Sequence, residues 1–277
     1  MCNDLPALTT LHIALTFIPL ALYLLAGLLA VRAVKLDPAA RPVAAVLAAQ
    51  LGVLVHAYLL FGAIDSPGGV VIAITDSASL VGWVVGATTA IAMACLPLGA
   101  LPAVLLAIAG LLATLTGLLS GFNEIDTPHW EVTAHIALAA LAAGWLTIAV
   151  TVVSLLAWQD TRVRSRAPLG RLALLPPMET MEKTLFRALG GGFVVLTLAL
   201  VTGFFFVHDI IAQHLAHKVI LAVTAWLVFG VLLFGRVRYG WRGRKAHALT
   251  IAGFVFLALA YFGAKFVLEN LLGRHWG

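Results

Sequence analysis

Eight long apolar runs are the feature that most constrains the fold of this chain. They lie near residues 7–31, 42–62, 78–97, 101–120, 133–157, 189–208, 215–235 and 248–270. A bilayer core about 30 Å thick needs about 20 helical residues at 1.5 Å each. A lone strand or loop cannot satisfy its backbone hydrogen bonds in lipid. The runs therefore predict an all-α, polytopic membrane protein with eight transmembrane helices in one domain over residues 1–277.

Composition supports lipid as the solvent for this chain. Hydrophobic residues make up 62% of the sequence and charged residues only 10%, whereas soluble proteins carry about 25% charged residues. The motifs of P-loop nucleotide sites, zinc proteases and serine hydrolases are not present, and no basic arm with interleaved aromatic residues indicates a nucleic-acid partner. Cys2 and Cys95 lie far apart in the sequence, so both are expected to be free thiols.

Basic residues predict the orientation. Of the 17 lysines and arginines, 14 fall in the connections after runs 1, 5 and 7, and such residues are retained in the cytoplasm. Both termini are therefore expected outside, and the net charge of +5 is a topology signal. In the connection before run 6, Met181 and Leu185 recur at helical spacing, and Glu179 and Lys183 are placed to pair. This pattern predicts a short helix on the cytoplasmic surface.

The histidines are distributed very unevenly. Eight of the nine fall on the outer side of this topology, with His247 alone on the cytoplasmic side; the eight are His12, His56, His129, His135, His208, His214, His217 and His275. Polar side chains at membrane depth usually face a bundle interior or a cavity, and neutral imidazole is the commonest metal ligand.

Two outer histidines are the leading candidates for a metal or haem site. His135 opens run 5, and His217 opens run 7 from the same side, sharing a helix face with His214. Imidazoles from facing helices can ligate a metal or a haem iron. We therefore predict His135 and His217 as ligands, with His56 and His214 as further cofactor-binding candidates. Each histidine taken alone is better explained as an interfacial or hydrogen-bonded residue, and it is the clustering that favours ligation.

Several segments resemble a known family. The His-led start of run 5 (TAHIAL, 133–138) is similar to the corresponding helix of cytochrome c assembly proteins, and so are LPPMETME (175–182), GFFF (203–206), QHLAHK (213–218), AWLVFG (225–230), RYGWRGR (238–244) and YFG (261–263). Together they resemble the CcsA-related, HemX-like and YpjD-like branch of that family, whose members have eight spans. The resemblance is specific over about residues 130–270.

The resemblance implies a multi-pass protein of the bacterial inner membrane that handles haem for cytochrome c maturation. It implies haem as cofactor, histidine ligands at the outer face, and apocytochrome c or other assembly proteins as partners besides membrane lipid. Synthetase members carry a tryptophan-rich segment before the helix that His217 opens, whereas residues 207–214 contain no tryptophan. A haem carrier or accessory factor is therefore expected, and not necessarily an enzyme.

Two other functions remain open from the sequence. The basic segments 159–188 and 236–247 suit a regulatory scaffold that binds a cytoplasmic partner, a role that the HemX-like resemblance also implies. A small transporter or ion-efflux component would use the outer polar cluster instead. It is the least favoured reading because the chain shows neither internal repeats nor a series of intramembrane carboxylates.

Overall fold

The helices of the protein coincide with the apolar runs. The computed structural model describes residues 5–37, 42–66, 69–72, 74–118, 125–127, 130–166, 168, 170–206 and 216–263. Within these ranges lie α1 (Leu5–Leu36), α2 (Val43–Ile64), α3 (Ile74–Cys95), α4 (Leu101–Leu118), α5 (Trp130–Arg164), α6 (Met178–Phe206), α7 (Ala216–Tyr239) and α8 (Arg244–Ala258). Each predicted run overlaps one helix.

Six of these helices are long and apolar enough to cross a bilayer: α1, α2, α3, α5, α6 and α7. The apolar part of α4 is shorter, and α8 has 15 residues before it continues into a π-helical turn at Leu259–Gly263. The predicted polytopic membrane fold is therefore confirmed. The count of eight crossings and the outward location of both termini stay predictions.

Glycine and proline separate the helices. Pro97 lies between α3 and α4, and Gly99 there takes the left-handed φ of 53° that glycine adopts without steric cost. The adjoining Ala100 N–H donates to the carbonyl of Leu174, in the 3₁₀ turn Gly170–Leu174 that precedes α6. Gly240, with φ of 66°, ends α7 in the same way.

A small antiparallel sheet joins two connections at the opposite end of the bundle, where the sequence predicted only turns. Its strands are β1 (Asp65–Ser66), β2 (Gly69–Ile72) and β3 (Ile125–Thr127), in the order β1-β2-β3. Val71 pairs with Asp126, so the α2–α3 connection is hydrogen-bonded to the segment before α5. The fold is thus helical apart from this sheet in the described ranges.

Two of the three connections rich in basic residues, α5–α6 and α7–α8, lie together at one end. Ala100 ties the α3–α4 turn to the segment before α6, and the Glu182 carboxylate near the start of α6 lies 3.9 Å from Arg236 and 3.7 Å from Arg242, at the α7–α8 connection. This arrangement agrees with the predicted alternation of sides.

The predicted short surface helix before run 6 is wrong. α6 is continuous from Met178 to Phe206 because no proline interrupts it. Met181 and Leu185 are almost fully buried in the bundle core, so their stripe packs against other helices and not against a membrane surface. The predicted ion pair beside this stripe is present, with Lys183 Nζ 2.7 Å from Glu179 Oε1.

Small residues line the contact between α1 and α2. α1 and α2 contribute Ala26, Ala30, Ala45 and Ala49 to the core, each almost fully buried. Small side chains let helix backbones approach closely, which is how helices associate in lipid. Large apolar residues such as Leu54 remain exposed, in keeping with a surface that faces acyl chains. Cys95 is a free, exposed thiol, as predicted.

Candidate functional site

His135 is held against α6 by hydrogen bonds of its imidazole ring. It lies half-buried in the second turn of α5, and its Nδ1 is 3.3 Å from Thr202 Oγ1. The Thr202 hydroxyl donates its own proton to the Ala199 carbonyl at 3.0 Å, so it can only accept from the ring. In the tautomer that donates from Nδ1 to Thr202, Nε2 keeps its lone pair.

Gly203 allows the imidazole to lie directly on α6. A Cβ atom at this position would be 2.8 Å from His135 Cε1 and 3.3 Å from Nδ1, closer than side-chain atoms normally approach. Glycine is thus required here for close packing. Thr202 and Gly203 together set the height and the rotation of the ring.

The His135 ring lines a cavity of about 340 Å³ between α5, α6, α7 and the end of α8. Apolar side chains form most of its wall, and His135, Lys218 and Tyr261 are its polar members. The other lining residues are Ala139, Leu196, Ala199, Leu200, Gly203, Phe204, Val219, Ala222, Val223, Leu257 and Ala260. Tyr261 belongs to the π-helical turn, a conformation frequent at functional sites.

This arrangement suits the binding of an apolar ligand with a metal atom. The hydrogen bonds of the His135 ring are made with Thr202 Oγ1 and with the backbone carbonyl of Ala199, both on α6. Metal-ligating histidines commonly donate the other ring N–H to a neighbouring acceptor, which orients the ring and raises its basicity. The Thr202 contact is of this kind. In the described ranges no cluster of three or more histidine, cysteine or acidic residues forms a metal site, so His135 would act with few protein ligands.

His56 lies in a separate, buried network. It is 2% exposed on α2, with Nδ1 3.3 Å from the Tyr23 hydroxyl of α1 and Nε2 2.9 Å from Ser79 Oγ of α3. The Tyr23 and His56 rings also meet edge to face. Because both ring nitrogens are already hydrogen-bonded, this geometry favours a structural role for His56 in joining three helices.

The remaining candidate ligands are only partly described. His217 is in the first turn of α7, directly before the cavity residue Lys218, but its side chain lies outside the described residues. His214 falls wholly outside them, as do His129, His208 and His275, and of His12 only the backbone is described. The structure therefore places His135 at a cavity and leaves the convergence of the predicted ligands a prediction.

Sequence reasoning missed the residues that position His135. Thr202 is 67 residues away in the chain, and no local motif links a threonine in one apolar helix to a histidine in another. Its neighbour Gly203 reads as an ordinary small residue of a membrane helix. The resemblance did include GFFF at 203–206, which begins at this glycine, but it assigned the segment no role.

The two basic segments predicted as a partner-binding region also come together. Arg236 stacks over the Phe186 ring at 4.3 Å, and one of its guanidinium nitrogens donates to the Trp241 carbonyl. His247, one residue before the predicted eighth run, is half-buried beside these groups. Burial lowers the pKa of His247 below its usual value, against the opposing charges of Asp160 and Glu182.

Comparison with known proteins agrees with the resemblance seen in the sequence. The model of the cytochrome C assembly protein family matches residues 44–272. The inner membrane protein YpjD of Escherichia coli (strain K12) is 36% identical over 154 residues, which are 53% of this chain and 57% of the relative. An uncharacterized 28.8 kDa protein of Azospirillum brasilense is 35% identical over 149 residues, 53% of this chain and 55% of the relative.

A more distant match is the cytochrome c biogenesis protein CcsA of Gloeothece citriformis. It is 32% identical over 119 residues, 42% of this chain and 36% of the relative. The chain thus spans little more than half the length of the first relatives it matches. No solved structure matches it. The predicted inner-membrane location agrees with the name of the Escherichia coli relative.

Proposed function

Because the chain belongs to the cytochrome c assembly protein family, we propose that it binds haem at the end of the bundle opposite its basic connections, as a carrier or accessory factor. The single observation that carries this proposal is the His135 imidazole, which lines an apolar cavity with its Nδ1 engaged by Thr202. When bound, haem supplies an iron that accepts axial imidazole ligands.

The residues of the cavity fit such a group. His135 Nε2 offers a lone pair, and the Thr202 hydroxyl holds the ring so that this nitrogen is the one available to a metal. The volume of about 340 Å³ lies at the lower end of the roughly 300–1,000 Å³ of small-molecule sites. Its apolar walls suit a macrocycle, and the Lys218 ammonium suits a propionate carboxylate.

His217 is the proposed second ligand. It precedes Lys218 at the start of α7, on an element that forms part of the cavity wall. His214, three residues earlier, is the alternative from the same connection. His56 is a weaker candidate, because ligation would require its ring to leave both Tyr23 and Ser79.

The connection between α6 and α7 is short, and for this reason the proposal does not include the covalent attachment of haem to a second protein. Residues 207–215 join the two helices and contain no tryptophan, so an extended aromatic platform for a second protein is not provided there. We therefore propose that this chain holds haem or transfers it to an assembly partner, and that it carries out no covalent chemistry.

Haem uptake by the purified full-length protein tests the assignment. Protein in detergent is titrated with haemin while the Soret band is recorded. The expected result is a ligated spectrum that is lost in His135→Ala and weakened in His217→Ala. Thr202→Val should weaken binding by roughly fivefold to tenfold, the equivalent of about 1 to 1.4 kcal/mol for one orienting hydrogen bond.

His247→Ala is the matched control, since it removes a half-buried histidine at the other end of the bundle. It should bind haemin as the unmodified protein does. Equal haemin affinity of His135→Ala and His247→Ala would refute the assignment, and so would a failure of the unmodified protein to bind.

A second function, a scaffold for a cytoplasmic partner, is favoured by one surface. At the end of α7, Val237 is 88% exposed and Tyr239 is 65% exposed, beside Arg238 and Arg242. Arg238→Glu with Arg242→Glu should abolish capture of a purified haem-synthesis enzyme, whereas Lys35→Glu, in the first basic connection, should not. Undiminished capture by the double variant would remove this function.

A further inference from the structure

A narrow apolar groove lies at the basic end of the bundle, away from the His135 cavity. It has a volume of about 160 Å³ between α3, α4, α5 and α6. Its walls include Leu96, Leu98, Leu101, Leu105 and Ile148. This is about five times the volume that one water molecule occupies in the liquid, so the groove has room for a segment of an acyl chain and not for a folded ligand.

One basic side chain, Arg187, lines this groove. It is exposed on α6, two residues before the predicted apolar run 189–208 begins, which places it at headgroup level. Other arginines of this end have acidic partners: Arg164 pairs with Asp160, and Arg236 lies near Glu182. Arg187 has no ion pair or hydrogen bond with any residue that the structure describes. Its charge is therefore available to an anion.

The wall of the groove is fixed by tight helix packing. Trp145 of α5 lines it and lies directly on the α6 backbone at Gly191, where an added Cβ would fall 1.5 Å from the indole ring. Such contact leaves the ring little freedom to close the groove. Thr88 contributes a half-buried hydroxyl to the lining, and this hydroxyl has no hydrogen-bond partner within the described ranges. The groove is thus preformed.

The combination of a cation at headgroup level and an apolar channel matches one kind of ligand. The cytoplasmic leaflet, where positively charged connections are retained, carries the anionic lipids, and basic pockets between transmembrane helices bind their headgroups. We propose that this groove binds an anionic phospholipid, with the phosphate at Arg187 and one acyl segment along Ala92 and Leu96. The site is independent of haem binding.

Lipid titration followed by native mass spectrometry tests the proposal on the full-length protein in detergent. Phosphatidylglycerol and phosphatidylcholine of the same acyl chains are compared. The unmodified protein should retain one phosphatidylglycerol in preference to phosphatidylcholine. Arg187→Gln should weaken phosphatidylglycerol binding by about fivefold, since an arginine near a charged lipid surface contributes about 1 kcal/mol. It should weaken the binding of phosphatidylcholine, a zwitterion, less, so that the preference for phosphatidylglycerol is lost.

Arg238→Gln is the matched control, an exposed arginine of the same end that does not line the groove. It should keep the preference for phosphatidylglycerol. Ala92→Leu, which adds bulk to the groove wall, should weaken the binding of both lipids while Arg187 is intact. Its thermal unfolding is measured in parallel, so that loss of the fold is distinguished from loss of the site.

The proposal is overturned if Arg187→Gln and Arg238→Gln retain phosphatidylglycerol equally, or if the unmodified protein does not distinguish the two lipids. It is also overturned if inorganic phosphate displaces phosphatidylglycerol at equal concentration, because the site would then recognise a free anion and not a lipid.

Discussion

The contact between Trp145 and Gly191 makes a sharp prediction about the packing of α5 on α6, the most extensive helix contact in the described structure. A Cβ added at Gly191 would lie 1.5 Å from Trp145 Cζ3 and 2.0 Å from Cε3. Carbon atoms in contact are normally about 3.5–4.0 Å apart. Gly191→Ala must therefore displace the indole or the helix by about 2 Å.

The expected cost follows from two opposing effects. Inserting a methyl group into a packed contact costs about 1–3 kcal/mol. Because the indole ring of Trp145 is rigid, the cost for Gly191→Ala should lie at the upper end, about 3 kcal/mol. Replacing a helical glycine by alanine recovers about 1 kcal/mol, so the net loss in the free energy of unfolding is about 2 kcal/mol. At the adjacent Gly190 a Cβ meets no atom within 4 Å. Gly190→Ala should therefore raise stability by about 0.5–1 kcal/mol.

Thermal unfolding in detergent measures the difference between the two variants. The separation of about 3 kcal/mol corresponds to a difference in Tm of roughly 6–12 °C, at about 2–4 °C per kcal/mol for chains approaching this length. The fraction of protein that stays monodisperse after heating reports the Tm. The heating rate is kept constant because membrane proteins often unfold irreversibly.

A second substitution identifies the atoms responsible. In a Trp145→Leu background the indole is gone, so Gly191→Ala should no longer lower the Tm, and the two changes should be strongly non-additive. Equal Tm values for Gly190→Ala and Gly191→Ala would refute the packing argument. A Gly191→Ala penalty that persists without the indole would refute it as well.

Three further predictions concern polar groups that are buried or half-buried. Ser79→Ala and Tyr23→Phe should each lower the Tm by leaving one nitrogen of His56 unpaired, at about 1–3 kcal/mol, with the larger effect at the 2.9 Å bond to Ser79; unchanged Tm values would contradict the network. His247 has a lowered pKa when folded, so stability should fall as the pH drops from 7 to 5, and His247→Gln should flatten that pH profile of Tm. Gln159→Met should leave the Tm unchanged or higher, since the buried Oε1 of Gln159 has no partner in the described structure; a fall of several degrees would show that the amide is paired.

The positions of the helices were predictable from composition, because any apolar run of about 20 residues must become a helix in lipid. It was harder to predict whether an apolar run and the segment before it form one continuous helix. The amphipathic stretch beginning at Met178 reads as a separate surface helix, yet it continues into α6 because its stripe of Met181 and Leu185 finds a partner surface in the bundle. The pairing of β2 with β3 was also invisible, since it joins connections more than 50 residues apart.

For the candidate site, too, the sequence could not show which partners each histidine contacts. Position in the sequence indicated that His56 and His135 share one side of the membrane, and it gave both as ligand candidates. Their hydrogen-bond partners separate them: Tyr23 and Ser79 occupy both nitrogens of His56, whereas Thr202 engages one nitrogen of His135. These partners come from other helices, so no single stretch of sequence contains the distinction.

The sequence by itself determined that this chain lies in a membrane as a helical bundle and to which family it belongs, because hydropathy and local motifs are properties of contiguous residues. Only the tertiary structure decided which imidazole faces a cavity, which is buried in a network, and where Arg187 meets an apolar groove. Those properties depend on the rotation and approach of helices distant in the chain, which are set by close packing at positions such as Gly191 and Gly203.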